Sequence, residues 1–140
     1  MRIFFAGPLT ELKNPEATKQ FYVTLLTMAK NLGFECFWAF LNGTDPIKNP
    51  DVLPADVYRR DIDQLEKSDI VIAYVGEAST GTGVEIEHAH HIGKPVILLH
   101  EQGKRVSRMV RGCPSIKKEI VFSSHEDALD QLKLYLSSLK

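Results

Sequence analysis

The chain has 140 residues, enough for one domain with a single sheet covered by helices and too few to require a second domain. A hydrophobic content of 44% with 25% charged residues is typical of a globular protein in water, and no apolar run approaches the roughly 18 residues of a membrane span. The formal net charge of −1 gives no basic excess, so we expect no binding to long nucleic acid and no membrane partner.

Two cysteines, Cys36 and Cys113, are too few for a disulfide framework. The first seven residues show no charged region followed by an apolar core and a cleavage site. We therefore expect a cytoplasmic protein with reduced thiols. Neither cysteine is accompanied by a histidine in a recognisable motif, which argues against cysteine catalysis.

The start of the chain predicts a strand followed by a helix. Residues 2–6 form a short apolar run closed by Gly7-Pro8, which is typical of a central strand ending in a tight turn. From residue 15 to residue 32 apolar side chains recur every three or four positions, and Gly33 ends the pattern. We expect an amphipathic helix there, with its apolar face on the sheet.

Residues 34–40 predict a second strand, although their aromatic side chains could equally line a pocket. The turn-rich segment 41–50 is longer than most connections, and such segments usually form a lid, an interface or a loose loop. Residues 56–68 have a helical pattern and include Asp61 among several other charged residues. From this pattern alone, Asp61 belongs to a solvated charged face.

The second half of the chain continues the alternation of strands and helices. Residues 69–75 are almost entirely apolar, which predicts a strand buried on both faces, and residues 85–92 have a helical pattern. The remaining predicted elements are strands at residues 96–99 and 120–122, a basic segment at residues 101–114, and a last helix capped by Ser123 or Ser124.

Strands that alternate with helices along the whole chain predict an α/β fold: a three-layer sandwich around a parallel sheet of about five strands. Residues 1–140 then form one domain. Because crossovers between parallel strands are right-handed, the loops after the first, third and fourth strands should meet at one edge of the sheet.

The segment Ser79-Thr-Gly-Thr-Gly-Val-Glu85 links the predicted central strand to the helix after it. Open α/β sheets bind ligands at the carboxyl ends of their strands, and Gly81 and Gly83 can adopt positive φ and leave room above the backbone. Glu85 would then lie in the first helical turn, where the helix dipole stabilises its ionised form by ~0.3–1 kcal/mol. This favours a nucleophile or anion stabiliser; the alternative is that Glu85 merely satisfies the start of the helix.

Other chemistries have weaker support in the sequence. A phosphate-binding P-loop and a dinucleotide-binding Gly-x-Gly-x-x-Gly after the first strand are both missing. His88, His90 and His91 could suggest a metal, but only His88 and His91 share a helix face and no second cluster completes a site. We expect no metal.

Taken together, three motifs resemble the nucleoside 2-deoxyribosyltransferase-like superfamily. They are Ile3-Phe-Phe-Ala-Gly7, the stretch from Asp61 to Ala73, and Ser79 to Glu85 followed by Ala89 and Gly93-Lys-Pro-Val. The segment Arg105-Val-Ser-Arg-Met-Val-Arg-Gly112 is similar to one found in its 2'-deoxynucleoside 5'-phosphate N-hydrolases. The resemblance covers residues 2 to about 112, and it implies a Rossmann- or flavodoxin-like domain.

This resemblance implies a role for each of two carboxylates. Glu85 matches the nucleophile that attacks the anomeric carbon of the sugar and forms a glycosyl-enzyme ester as the base leaves. Asp61 matches the carboxylate that orients the nucleophile or helps to protonate the departing base. The pair fits the general scheme of glycosyl transfer, in which an anion faces an oxocarbenium-like transition state and an acid serves the leaving group. No metal or organic cofactor is implied.

Two serines bear on the substrate. Ser79 lies six positions before Glu85, where transferases of the superfamily carry an acidic residue and the monophosphate hydrolases carry serine. A carboxylate there would repel a phosphate dianion, whereas a hydroxyl can donate to it. Ser107 matches a serine that reaches the phosphate from the neighbouring subunit, which implies a homodimer with a shared site. The alternative is an ordinary surface serine.

The turn after the first strand departs from the hydrolase pattern. Pro8 stands where the hydrolases usually have a phosphate-binding serine, and Thr10 is the nearest hydroxyl that could replace it. Phe4 stands where a tyrosine is common near the 2' side of the sugar, which weakens the preference for deoxyribose. The expected substrate-binding residues are Phe4, Ala6, Gly7, Pro8, Leu9, Thr10, Ser79, Gly81, Gly83, Ser107, Arg108 and Met109.

The leading hypothesis is a homodimeric N-glycosidase that hydrolyses (deoxy)nucleoside 5'-monophosphates to free base and sugar 5-phosphate. A nucleoside deoxyribosyltransferase, which moves the sugar between bases, is the first alternative. A nucleotide-binding module without turnover is the second.

Overall fold

A computed structural model describes all 140 residues and contains five strands and five α-helices. None of the helices combines the length and the apolar character needed to cross a membrane. The elements, in chain order, are β1 (Arg2–Ala6), α1 (Pro15–Asn31), β2 (Glu35–Trp38), a 3-10 helix (Ala39–Leu41), α2 (Pro54–Glu66), β3 (Ile70–Tyr74), α3 (Thr80–His91), β4 (Val96–Glu101), α4 (Arg108–Arg111), β5 (Ile116–Phe122) and α5 (His125–Ser138).

All five strands are parallel and lie in the order β2-β1-β3-β4-β5. This confirms the predicted three-layer α/β sandwich. Side chains alternate between the two faces of a strand, so Ile3 packs with α1 and α5 on one face, while Phe4 packs with α2 and α3 on the other. The central strand β3 is buried at every position, as its apolar run predicted.

The strand order reverses direction between β1 and β3. The chain leaves β1 towards α1 on one face and leaves β3 towards α3 on the opposite face, so the two connections diverge and open a crevice at the carboxyl ends of these strands. This crevice is where open α/β sheets hold their ligands.

The region after β2 differs in detail from the prediction. The strand ends at Trp38, and the chain then turns through the 3-10 helix instead of extending to residue 40. The following long segment is fixed, because Asp45 has no exposed surface and its Oδ2 lies 2.8 Å from Lys19 Nζ of α1. Asp45 Oδ1 also accepts the backbone N–H groups of Ile47 and Lys48 at 2.7 and 3.2 Å. The segment is therefore not a loose loop.

Candidate active site

A cavity of about 520 Å³ lies in the crevice at the carboxyl ends of β1 and β3. Four parts of the chain form its wall: the turn after β1, the long loop after β2, one side of α2 and the first turns of α3. We call it the main cavity. Its lining residues include Gly7, Leu9, Thr10, Thr44, Asp61, Ser79, Gly81, Thr82 and Glu85.

The glycine-rich segment is the beginning of α3 and not a loop before it. Ser79 is the N-cap residue, and its Oγ accepts the backbone N–H of Thr82 at 3.2 Å. Such a cap starts the helix five residues earlier than the periodicity indicated. The expectation of positive φ at Gly81 and Gly83 is therefore wrong, since the positive-φ glycines of this chain lie elsewhere.

Both glycines nevertheless leave space where a ligand would need it. A Cβ atom built on Gly81 or Gly83 would meet no protein atom within 4 Å. Gly81 lines the main cavity, and Gly83 lines a second cavity on the other side of the helix start. A helix gains stability when alanine replaces glycine, so the protein keeps glycine at two positions where its own packing does not require it.

The two candidate catalytic carboxylates come from neighbouring helices and line the same cavity. Asp61 of α2 is buried, with 8% of its surface exposed, and Glu85 of α3 is half-buried at the cavity wall. Burial, with the Asp61 carboxylate nearby, raises the pKa of Glu85 to about 8. Burial also raises the pKa of Asp61 to about 6, against the lowering effects of the Thr44 hydrogen bond and the charge of Arg60.

The expectation that the helix dipole keeps Glu85 ionised is wrong. Glu85 is the sixth residue of α3 and lies beyond its first turn, where the dipole acts most strongly. The dipole contributes ~0.3–1 kcal/mol, which is less than the ~1.4 kcal/mol that changes a pKa by one. Burial and a neighbouring carboxylate outweigh it. At neutral pH Glu85 is therefore the carboxyl group that keeps its proton, and Asp61 is the more acidic of the two.

Sequence reasoning missed Thr44, which contacts one of these carboxylates. Its Oγ1 lies 3.2 Å from Asp61 Oδ1, and the residue is 6% exposed on the main cavity wall. A threonine in a turn-rich segment carries no sequence signal for such a contact. Only the fixed path of the loop after β2 places it there.

The residues of the first turn divide into two groups. Gly7, Leu9 and Thr10 line the main cavity, as expected of substrate-binding residues. Phe4 and Ala6 do not line it, because they lie inside the sheet with 0% and 2% of their surface exposed. The prediction that these two residues contact the substrate is therefore wrong. They pack beneath the cavity and support it.

Pro8 is buried next to the cavity, and its carbonyl accepts a hydrogen bond of 2.9 Å from Tyr22 Oη. The tyrosine ring also lies against Gly7, where an added Cβ would meet Tyr22 Oη at 2.7 Å. Packing against α1 thus fixes the turn after β1.

A second cavity of about 310 Å³ lies on the opposite side of the α3 N-terminus. It shares Ser79 and Thr82 with the main cavity and is also lined by Arg105 and Ser107 of the basic segment. Ser107 caps the short helix α4, and its Oγ accepts the Val110 N–H at 3.4 Å. Arg108 and Met109 line neither cavity, and Met109 is 87% exposed.

Two of the three histidines of α3 have partners outside both cavities. His88 Nε2 lies 3.0 Å from Glu66 Oε1, and His90 Nδ1 lies 2.9 Å from Ser115 Oγ. No three His, Cys, Asp or Glu side chains are grouped so that they could hold a metal ion.

Comparison with known proteins shows the family and the fold of this chain. The family model described as nucleoside 2-deoxyribosyltransferase matches residues 3–130. The chain belongs to this family. Asp61, Ser79 and Glu85 all lie within the matched residues, as does the whole sheet except Arg2 at the start of β1. Solved structures show the same fold. This member of the nucleoside 2-deoxyribosyltransferase family aligns with the Clostridium botulinum CMP N-glycosidase BcmB at a TM-score of 0.74 and 25% sequence identity. The alignment covers 96% of this chain and 99% of BcmB.

Two curated relatives are hydrolases by name. A Methanosarcina mazei protein with the provisional name 2'-deoxynucleoside 5'-phosphate N-hydrolase 1 is 40% identical over 77 residues, which are 55% of this chain and 48% of the relative. The 5-hydroxymethyl-dUMP N-hydrolase of Tetraodon nigroviridis is 33% identical over 78 residues, or 54% of this chain and 55% of the relative. The chain thus matches about half the length of these relatives.

Proposed function

We propose that this family member is an N-glycosidase that hydrolyses the bond between base and sugar in (deoxy)nucleoside 5'-monophosphates. The products are a free nucleobase and (deoxy)ribose 5-phosphate. The observation that carries the proposal is the pair Asp61 and Glu85, two carboxyl groups from different helices that line one cavity and whose pKa values are both raised by burial. The N-hydrolase and N-glycosidase names of similar proteins support it.

The reaction needs one proton on the pair. In the productive state Asp61 carries this proton and Glu85 is the anion, which reverses the order of the two pKa values in the free protein, so substrate binding must move the proton from Glu85 to Asp61. A Glu85 carboxylate oxygen attacks C1' and forms an ester, while the bond from C1' to the base nitrogen breaks and its electron pair leaves with the base. Asp61 protonates the base. Water then attacks C1' and releases Glu85, and the proton that the water loses returns to Asp61.

The second cavity supports a phosphorylated substrate. The first N–H groups of α3 attract anions, and Arg105 adds a positive charge beside them. Thr82 is 4% exposed, and its Oγ1 has no hydrogen-bond partner in the protein, which is costly unless a ligand contacts it. A sugar held beside Glu85 in the main cavity could extend its 5'-phosphate across the helix start to these groups.

A homodimer is part of the proposal. Four exposed apolar side chains lie on the wall of the main cavity or directly next to wall residues, and Met109 is exposed on α4. A partner subunit that covered them would also exclude water from the site. The four side chains are Ile47, Leu53, Tyr58 and Val84.

A base-release screen tests the reaction. Ribo- and deoxyribonucleoside 5'-monophosphates and the matching nucleosides are incubated with the protein, and free base is measured by chromatography. We expect release from at least one monophosphate with kcat/KM ~10-fold or more above that of its nucleoside, because an unphosphorylated substrate loses the charge-assisted contacts. Formation of a new nucleoside after addition of a second base would instead show a transferase.

Mass spectrometry of acid-quenched protein tests the covalent step. We expect an adduct of (deoxy)ribose 5-phosphate on the peptide that contains Glu85, and none in Glu85→Gln. Ligand-induced stabilisation without product or adduct would indicate a binding module and overturn the proposal.

A further inference from the structure

The loop after β2 brings a hydroxyl group to one of the two catalytic carboxylates. Thr44 is buried, and the next residue, Asp45, is tied to α1 through Lys19 and to its own loop through two backbone N–H groups. The position of Thr44 is therefore fixed by contacts that do not involve Asp61. It is an independent support for that side chain.

The Thr44 hydroxyl has two acceptors within reach and one proton to give. Its Oγ1 lies 3.2 Å from Asp61 Oδ1 and 3.2 Å from the carbonyl oxygen of Ala39. When Asp61 is an anion, the hydroxyl can donate to Oδ1. When Asp61 is neutral with its proton on Oδ2, Oδ1 is a carbonyl oxygen that can only accept, so the hydroxyl donates to Oδ1 in this state as well.

No other protein group holds the Asp61 carboxyl. Asp61 Oδ1 has Thr44 as its only hydrogen-bond partner, Oδ2 has none, and no basic side chain forms an ion pair with either oxygen. The charged groups that act on it are Glu85 from α3 and Arg60 on its own helix. The Thr44 hydroxyl is therefore the only protein group that orients the carboxyl group through a hydrogen bond, and this bond lowers the pKa of Asp61 against the effect of burial.

We propose that Thr44 is a positioning residue that holds Asp61 Oδ1 in both charge states, so that Oδ2 is the oxygen that exchanges a proton with the substrate. The inference rests on the proposed function and adds a residue to it. In the first step the proton leaves Oδ2 for the departing base, and Thr44 donates to the new anion. In the second step water returns a proton to Oδ2, and the Thr44 hydroxyl continues to donate to Oδ1, which is then the carbonyl oxygen of the neutral acid.

Two variants separate this role from simple packing. Thr44→Val keeps the shape of the side chain and removes the hydroxyl, whereas Thr44→Ser keeps the hydroxyl and removes a methyl group. A packing role would make the serine variant the poorer of the two. A positioning role makes the valine variant the poorer one.

The titration of Asp61 provides a readout without turnover. Carboxyl carbons labelled with ¹³C in all aspartates are followed by NMR, and the Asp61 signal is assigned by its loss in Asp61→Asn. A hydrogen bond to a charged acceptor is stronger than one to a neutral group. We therefore expect the Asp61 pKa to rise by at least about 0.5 in Thr44→Val and to stay near the wild-type value in Thr44→Ser.

Kinetics with the best substrate of the base-release screen complete the test. We expect Thr44→Val to lower kcat by ~10-fold or more with little change in KM. The acid limb of its kcat–pH profile should move to higher pH. For Thr44→Ser, kcat should stay within a few-fold of the wild-type value. An unchanged Asp61 titration in Thr44→Val, or equal kcat values for the two variants, would overturn the proposal. If wild type releases no base, the proposed function fails, while the titration still decides whether Thr44 controls Asp61.

Discussion

Glu85 combines two properties that usually oppose each other. Its carboxyl group lies where protein excludes most water, yet it must be negatively charged to attack a sugar. Burial raises its pKa because the anion loses hydration, and the same loss leaves the anion poorly stabilised before the reaction. The positive charge that develops on the sugar would then interact strongly with it across a site of low dielectric constant.

The raised pKa predicts how stability depends on pH at this residue. Because the pKa of Glu85 is about 8 in the folded protein and near 4.5 when unfolded, the folded state binds more protons between these values. The stabilising contribution of Glu85 is thus fully present below pH 4.5 and is lost as pH rises through 8. We expect Glu85→Gln to raise Tm above pH 8, by about 4 °C for each kcal/mol of relieved cost.

Thermal denaturation of both proteins from pH 4 to pH 9 checks this prediction. The difference in Tm should vanish near pH 4, where Glu85 is neutral in both states, and grow towards pH 9. Base release should fall at least ~1000-fold in the variant, since glutamine cannot form the ester. Equal Tm values at pH 9 would show that Glu85 is not destabilised by burial.

At the scale of secondary structure elements, Gly81 and Gly83 lower the stability of the first turn of α3 and leave open space beside it. Glycine costs ~0.5–1 kcal/mol relative to alanine inside a helix, and nothing in the protein occupies the space above Gly81 or Gly83. We expect Gly81→Ala to raise the free energy of unfolding by up to ~1 kcal/mol and to raise KM at least ~10-fold, because its methyl group enters the main cavity. Chemical denaturation and initial-rate kinetics measure the two effects.

A control on another helix separates propensity from cavity filling. Ser137 is exposed near the end of α5, so Ser137→Ala also improves helix propensity without approaching either cavity. It should leave KM unchanged. Wild-type KM in Gly81→Ala would mean that substrate does not approach the helix start.

The loop after β2 depends on one buried ion pair. Removing one member of a buried ion pair leaves the charge of the other without a partner. Asp45→Ala would also leave two backbone N–H groups without a hydrogen-bond acceptor. We expect a loss of about 2 kcal/mol, less than for a fully buried pair because Lys19 keeps 19% exposure. KM should rise as the cavity wall loosens. Lys19→Met, which removes the charge and keeps the Asp45 backbone contacts, should have the smaller effect on KM.

The sequence predicted the order of the strands and of the four longer helices, and it predicted the electrostatics poorly. Strand β5 begins at Ile116, four residues before its predicted start, and α4 lies in a segment for which no helix was predicted. The spacing of apolar residues in α1 and the unbroken run in β3 depend on local periodicity, so both were identified within a residue or two. The start of α3 was misplaced because the cap at Ser79 outweighs the low helix propensity of two glycines. The pKa of Glu85 depends on burial and on Asp61, 24 positions away in sequence, and no local pattern reports that proximity.

At the scale of the whole molecule, the strand order brings distant parts of the chain to one place. The crevice between β1 and β3 places α2, α3 and the loop after β2 around the main cavity, while the basic segment after β4 reaches the second cavity on the other side of α3. One helix start thus separates the cavity proposed for sugar chemistry from the cavity proposed for an anion. A nucleotide that extends across it would contact both.

Mixing two inactive variants tests whether partner subunits share each site. We expect the protein to be a dimer by light scattering, and we expect Ser107→Ala to lose most activity. In an equal mixture of Glu85→Gln and Ser107→Ala, half of the dimers are mixed. If each site takes Glu85 from one subunit and Ser107 from the other, one site of each mixed dimer is intact, so activity should recover to about a quarter of wild type.

An unshared site is the alternative to this prediction. Ser107 and Ser79 of the same chain line the second cavity, so Ser107 could serve its own subunit. If Ser107 serves its own subunit, the mixture recovers nothing beyond the residual activity of the two variants. In an equal mixture of wild type with the double variant Glu85→Gln and Ser107→Ala, a shared site lowers the activity instead of raising it. We expect about half of wild-type activity if sites are not shared and about a quarter if they are shared. Subunit exchange must be complete before the activities are compared, because a shared site without exchange would give the values of an unshared site in both mixtures.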